Sequence, residues 1–534
     1  MPRDENGACA DAVGSYQSNG TVLAVLSDGA GTGAPAREAA HRAVTMFAEN
    51  YAARPRAWSP ERTLLEFTRQ LNRTFYQESL AREGRVEMVA TLAAVVIEGT
   101  QLYGLNAGDS RVYLHSRGQL RQLSEDHHSP DQSHLLTIAL GMMPDIAPHA
   151  FTCEVREGDA VLLCSDGVSN HIAETEIARA LAERHSARSL VLTARQNARA
   201  ETLDDASAMV LDIRQTGIRR AMTAPPLTVP AALHKGDSVD GWQLLRAFHG
   251  TDRVWLAEKD GQRAVLKFAP VEAQDSEAHR DAFTRESWNA TRARSEHFVH
   301  AGEPPGQTAR YYLMEFIEAP SLHSVLRERR LSVDSAVALG VFLAEAAQAL
   351  LRLDLAHGDI KPENILCIGD YAKLSFKLVD LGSAAELFSV SSRAGTASYL
   401  APERFQNAPV SERTELFAIG ITLYQSLTGR LPYGDIERFQ TPSFSAPRRP
   451  SKWNANLPPW LDAVILRAIA RQPERRYDHY SELLHDLTHP DRVQPWFEED
   501  TPLLQRNPLA FYRTGFYLLL AAVLWLALLL LGKR

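Results

Sequence analysis

His357-Gly358-Asp359-Ile360-Lys361-Pro362-Glu363-Asn364-Ile365-Leu366 sets an acid, a lysine and an amide at short fixed intervals, and its closing Ile-Leu opens an apolar strand. Asp380-Leu381-Gly382 follows, a second carboxylate on a tight turn. A polar turn between strands would account for one such run. The order and spacing of what lies downstream argue for chemistry instead.

A chain of 534 residues is too long for one core, and length alone suggests about three or four units. The net charge of −8 leaves no basic footprint, which argues against nucleic acid as a partner. Cys9, Cys153, Cys164 and Cys367 are scattered, with no CxxC pair, as suits a reducing compartment. No apolar leader opens the chain. From Gly515 to Gly532, GFYLLLAAVLWLALLLLG carries no charge and is flanked by Arg513 and by Lys533-Arg534. It reads as one transmembrane helix over residues 513–533. A buried core helix is the alternative, but a terminal run after a finished domain has little left to pack against.

In the first third, TVLAVLS (21–27) is a short apolar strand ending in Asp28-Gly29-Ala30-Gly31, and a helical stretch follows from about Ala36 to Tyr51. VATLAAVVIEG, QLYGLNAGDSRVYLHS and DAVLLCSDGVSNHI again read as strands ending in acid-glycine or glycine-acid turns. LDDASAMVLDI sets two acids before a strand. Asp28, Asp109, Asp166 and Asp204 thus share one setting at strand ends. Converging carboxylates would repel prohibitively without divalent cations, and hard oxygen ligands point to magnesium or manganese. Two such ions can activate a water for attack on a phosphate ester. Acids that merely cap turns are the alternative for any one of them.

LSDGAG, AGDSRVY, CSDGV and LDDAS resemble the metal-dependent PP2C-type protein phosphatases over nearly all of residues 1–213. The resemblance implies that Asp28, the Gly29 carbonyl, Asp166 and Asp204 bind a two-metal core, and that Asp109 holds a third ion. The opening motif departs from the family pattern. Asp11, in Cys9-Ala10-Asp11-Ala12, is the expected remaining acid, and Arg3 stands farther from it than a phosphate-binding arginine would. The pair His127-His128 reads as a surface polar cluster rather than as ligands.

Residues 216–238, rich in proline and poor in large apolar side chains, read as a linker. Strand-like runs resume at Trp242, and residues 240–490 resemble protein serine/threonine kinases. That resemblance implies that Asp359 is the base, Lys361 steadies the γ-phosphate, and Asn364 and Asp380 hold the metal. Lys267, in AVLKF, meets the α- and β-phosphates with Glu286, in FTRESW, as its helix partner. Met314 to Ile317, with Glu315 and Ile317 foremost, would hold adenine through the backbone. Arg476 is expected to pair with Glu403 of Ala401-Pro402-Glu403, beyond Gly395-Thr396. Three departures stand out. The nucleotide loop LLRAFHGTDRVWLA has Ala247, His249 and Asp252 where glycines are usual, with only Gly250 near. Gly358 replaces an arginine that grips a phosphorylated segment, which argues against switching by that route. Glu415 replaces an anchoring aspartate.

The expected architecture is therefore multidomain α+β. It has a PP2C-like layered β-sandwich flanked by helices (1–215), a linker (216–238) and a bilobal kinase-like domain (239–490). A juxtamembrane segment (491–512) and one transmembrane helix (513–533) complete it. The whole looks like the bifunctional kinase/phosphatase proteins of bacteria. That likeness implies ATP with Mg2+ in one domain, and two or three Mn2+ or Mg2+ ions in the other. Substrates would be proteins bearing Ser/Thr or phosphoSer/phosphoThr, the chain itself among the acceptors. The bilayer is the further partner. A terminal anchor leaves both domains on one side, and the need for ATP puts that side in the cytoplasm, beneath a bacterial inner membrane. The rival expectation is a membrane-anchored scaffold in which one or both domains no longer turn over.

Overall fold

A computed structural model describes every residue except 3–8, 19, 32, 56, 130–131, 200–203, 217–226, 249–250, 372, 382–383, 387–395, 438–441, 443, 498–503, 505–506 and 532–534. Arg3, His249, Gly250, Gly382, Gly395 and much of the expected linker therefore lie outside the described residues. The chain divides into two compact units. One is Met1–Glu318 with Leu350–Ala356 and Asp380–Ser391; the other is Ala319–Ala349, His357–Val379 and Ser392–Arg534. The division does not fall at 216–238, because a helix from beyond that stretch is packed into the core of the first domain.

In the first unit, residues before 215 form two main antiparallel sheets. Five strands, Ala12–Ser18, Thr21–Ser27, Leu92–Glu98, Gln101–Ala107 and His149–Glu154, lie side by side in chain order. Four strands make the second sheet, ordered Ala208–Asp212, Ala160–Cys164, Arg111–Ser116, Gln119–Gln122. The period of two along each strand sorts the apolar residues into layers. Ala24, Leu26, Ala93 and Val95 meet Val112, Leu114, Val161 and Leu163 in a core between the sheets. Their neighbours Leu23, Val25, Leu92 and Ala94 turn outward onto the helices Ala34–Asn50 and Pro60–Glu83. Leu162 and Cys164 likewise turn onto Glu174–Ala182 and Ala187–Asn197. The strands are apolar on both faces because both faces are covered. The result is the helix–sheet–sheet–helix layering expected from the sequence.

Helix Pro60–Glu83 is well specified at both ends. Ser59 accepts from the Arg62 N–H, proline occupies the first turn, and Gly84 closes it in the left-handed region. The same unit holds a six-stranded sheet ordered Ser238–Val239, Trp242–Ala247, Val254–Lys259, Gln262–Phe268, Tyr311–Glu315, Ala301–Gly302. It also holds the helix Glu277–Arg292, capped by Ser276.

The second unit is mainly helical and is built on Glu412–Thr428, Pro459–Ala468 and Tyr480–Thr488. Arg476, fully buried, clasps both oxygens of Glu403 at 2.6 and 2.8 Å and donates to the Ala470, Arg471 and Arg413 carbonyls. The terminal apolar helix runs Pro508–Leu531. Among the described residues, the helix long and apolar enough to cross a membrane is Val333–Leu351, half of which is buried in the protein. The terminal helix contributes a shorter described apolar stretch, Leu509–Trp525.

Candidate active sites

Strand register gathers the acids of the first domain. Ala12 pairs with Ser27, so Asp11 and Asp28 sit beside one another just past the strand ends. Cys164 pairs with Ala208 and with Arg111, which brings Asp166, the Asp204-Asp205 pair and Asp109 to one end of the second sheet. Ser165 ties the sheets together by donating to Asp11 Oδ2 at 2.9 Å. Gly167 is obligatory next to Asp166, since a Cβ there would lie 2.0 Å from the Asp205 carbonyl oxygen. At Gly29 a Cβ would stand 2.8 Å from the Ala36 backbone, where the first helix begins.

The electrostatics are those of a crowded acid cluster. Burial, then repulsion from Asp11 and Asp166, pushes the Asp28 carboxyl well above the usual carboxylate range. Burial and the charges of Asp109, Asp204 and Asp11 push Asp166 up to about 7. Burial also raises Asp109 and Asp11, the latter despite hydrogen bonds with Asp28, Ser165 and Ser207. Asp11 Oδ1 and Asp166 Oδ1 are buried and lack a hydrogen-bond partner. Orphaned acceptors among repelling acids are costly unless a cation meets them, so this donor set fits hard divalent ions. Among the described residues, no three His, Cys, Asp or Glu side chains already stand at cage spacing. Asp204 is exposed at the rim. Asp205 and Ser165 were not singled out in the sequence. Asp205 is buried and accepts the Ala10 N–H at 2.5 Å, fixing the segment that carries Asp11. The doubled acid in LDDAS was the available signal. His127 Nδ1 lies against the Gly108 backbone at 3.2 Å, a structural placement.

Two further sites are described each within its own unit. In the first, Leu266 and Phe268 enter the sheet core, which turns Lys267 to the opposite face. Its Nζ lies 2.6 Å from Glu286 Oε1 and 2.6 Å from Asp380 Oδ1. Burial pulls the ammonium down, but these two carboxylates outweigh it and hold the Lys267 pKa above its ordinary value. Tyr312, paired with Lys267 across the strands, donates its hydroxyl to Glu286 at 2.7 Å. Asp380 adopts φ +63°, a left-handed turn in which its carboxylate meets Lys267. Glu315 donates its N–H to the His300 carbonyl at 2.8 Å, a bond that any adenine contact there must be made around. Ile317 follows the strand, half-buried.

In the second unit, Asp359 is held from three sides. Its Oδ1 accepts the Thr396 N–H at 2.8 Å, while Oδ2 meets Lys361 Nζ at 2.6 Å and Asn364 Nδ2 at 3.2 Å. Lys361 also donates to the Thr396 hydroxyl at 2.6 Å, and Asn364 to the Asp359 carbonyl at 2.9 Å. Behind the loop, Glu415 Oε1 accepts the Gly358 N–H at 2.9 Å, and the Tyr480 hydroxyl donates to Oε2 at 3.2 Å. The longer acid at 415 is thus accommodated with both oxygens bonded.

Residues 251–487 match the protein kinase domain family, and residues 3–206 match protein phosphatase 2C. A probable serine/threonine-protein kinase of Clostridium acetobutylicum is 27% identical over 241 residues, 42% of this chain and 36% of that protein. The serine/threonine-protein kinase PknD of Mycobacterium tuberculosis is 32% identical over 256 residues, 45% of this chain and 38% of its own length. The chain therefore spans well under two thirds of these relatives. A solved serine/threonine phosphatase of S. agalactiae aligns over 40% of this chain and 96% of its own, at 20% identity and a TM-score of 0.35.

Proposed function

We propose that the chain is a bifunctional signalling enzyme, since residues 3–206 match protein phosphatase 2C and residues 251–487 match the protein kinase domain. One domain phosphorylates protein Ser/Thr from ATP, and the other dephosphorylates phosphoSer/phosphoThr proteins. What supports this reading is the two matched segments, together with the acid cluster of the first and, each within its own unit, the Lys267–Glu286–Asp380 group and the Asp359–Lys361–Asn364 group of the second.

In the kinase domain, Asp359 is the base. Held by Thr396 and Asn364, it offers an oxygen to the acceptor hydroxyl and takes its proton. Lys361 places positive charge where the γ-phosphoryl transfers. Lys267, aligned by Glu286, meets the α- and β-phosphates. Asn364 and Asp380 would hold Mg2+, which offsets phosphate charge. In the phosphatase domain Asp11, Asp28, the Gly29 carbonyl, Asp109, Asp166 and Asp204 would hold Mn2+ or Mg2+. Those ions supply Lewis acidity and an activated water when bound. The chain's part is to orient the acids: Ser165 steers Asp11, and Gly167 lets the Asp205 segment approach Asp166.

The purified full chain should transfer phosphate from ATP with magnesium to itself or a generic protein. With manganese it should hydrolyse p-nitrophenyl phosphate. Absence of both activities overturns the reading in favour of a scaffold.

The terminal helix serves as a membrane anchor, with both domains in the cytoplasm. Its support is the exposure of Leu509, Leu518, Leu519 and Trp525, between 63% and 77%, on a helix whose described stretch carries only Arg513 as a charge. Ending the chain after Asn507 should move the protein from the membrane pellet to the soluble fraction. Unchanged partitioning would refute the anchor.

A further inference from the structure

Glu286 stands on the helix Glu277–Arg292, and the opposite side of that helix has an owner. Trp288, 4% exposed, belongs to the apolar core of the phosphatase domain, together with Phe47, Phe67, Leu71 and Phe75. Its ring stacks on Phe67 at 5.2 Å and 16°, and Trp58 lies against it at 5.4 Å. Two ion pairs flank this contact, Arg285 to Glu66 and Arg62 to Asp281, each at 2.5 Å. A third tether joins Arg42 to both Glu78 and Asp354.

The spacing gives these contacts their meaning. Asp281, Arg285 and Trp288 follow at intervals of four and three, so they form one face of the helix. Glu286 projects about 130° from the centre of that face, toward Lys267. A helix gripped along one face by a buried indole and two ion pairs cannot roll without breaking all three contacts. Rolling is also what would carry Glu286 off the Lys267 ammonium, 2.6 Å away.

We propose that the phosphatase domain is the built-in activating partner of the kinase. Its helix Pro60–Glu83 fixes the rotation of Glu277–Arg292 and so keeps Glu286 on Lys267. Asp281, Arg285 and Trp288 are then positioning residues for nucleotide binding, governed from the other domain. The inference rests on reading Lys267 and Glu286 as the phosphate-holding pair.

Charge reversal across the contact tests it in the full chain. Glu66→Arg and Arg285→Glu should each raise the KM for ATP about tenfold, with a smaller change in kcat. Amide exchange in the peptide covering 277–292 should quicken in both. Hydrolysis of p-nitrophenyl phosphate should hold its rate, which shows that the phosphatase domain remains folded. The double variant, with the pair reversed, should regain wild-type KM and exchange. Single variants with unchanged KM and exchange, or a double variant no better than the singles, overturn the proposal. If the wild-type chain transfers no phosphate, the kinase reading fails on its own. The exchange data then decide the seating of the helix, and unchanged exchange in Glu66→Arg overturns it.

Discussion

Asp359→Asn should lower phosphoryl transfer by about three orders of magnitude, the scale of a lost general base, while hydrolysis of p-nitrophenyl phosphate continues unchanged. Asparagine keeps the shape and an acceptor oxygen for the Thr396 N–H, so the loop has no steric reason to rearrange. What it loses is the negative charge between Lys361 and Asn364 and the capacity to accept a proton. A lowered kcat with little change in the KM for ATP marks a group acting on the acceptor hydroxyl. Equal loss of both activities would mean that the substitution had unfolded the chain, and retention of transfer would remove Asp359 from its assigned role.

Asp28→Asn should have the opposite profile and an added signature. Hydrolysis should fall by about three orders of magnitude or more, with phosphoryl transfer intact, because the proposed reading has Asp28 help hold the cations. In chelator, however, the variant should melt several degrees higher than wild type, since about 1 kcal/mol corresponds to roughly 2–4 °C in a domain of this size. The reason is the cost of burying Asp28 among Asp11, Asp166 and Asp204. The sign follows from linkage. Carboxyls whose native pKa lies above the unfolded value bind protons more tightly in the native state, so they cost stability as pH rises. In chelator, wild-type melting should therefore fall from about pH 4 to about pH 7, the latter set by Asp166, and Asp28→Asn should flatten that slope. Manganese should raise the wild-type midpoint and do little for the variant. A variant that melts lower than wild type in chelator would argue against mutual repulsion at this site.

Much of what the structure places together was legible because these acids sit where short-range patterns are strongest. A carboxylate after an apolar strand and before glycine, as at Asp28-Gly29 and Asp166-Gly167, shows its strand end and its turn together. The pairing of Arg476 with Glu403 also matched the sequence reading, and Glu415 proved to hold the Gly358 N–H with Tyr480 filling out the site. Asp205 escaped notice because a buried acid that braces backbone looks, in sequence, like its exposed neighbour Asp204. Trp288 was illegible for a deeper reason. In FTRESW it reads as part of the fold that surrounds it in the chain, and its real neighbours, Phe67 and Trp58, lie more than two hundred residues upstream. No local periodicity encodes a contact of that range. The apolar run read from Gly515 lies within a helix that extends upstream to Pro508, past Arg513.

Trp288 also has a consequence for how such a chain can be taken apart. A protease nick or a gene split in the stretch 216–238 would not release two self-sufficient proteins. The upstream half would bare Phe67 and Trp58, and the downstream half would bare the Trp288 face that they cover. Each piece would be prone to clump until it found its former other half.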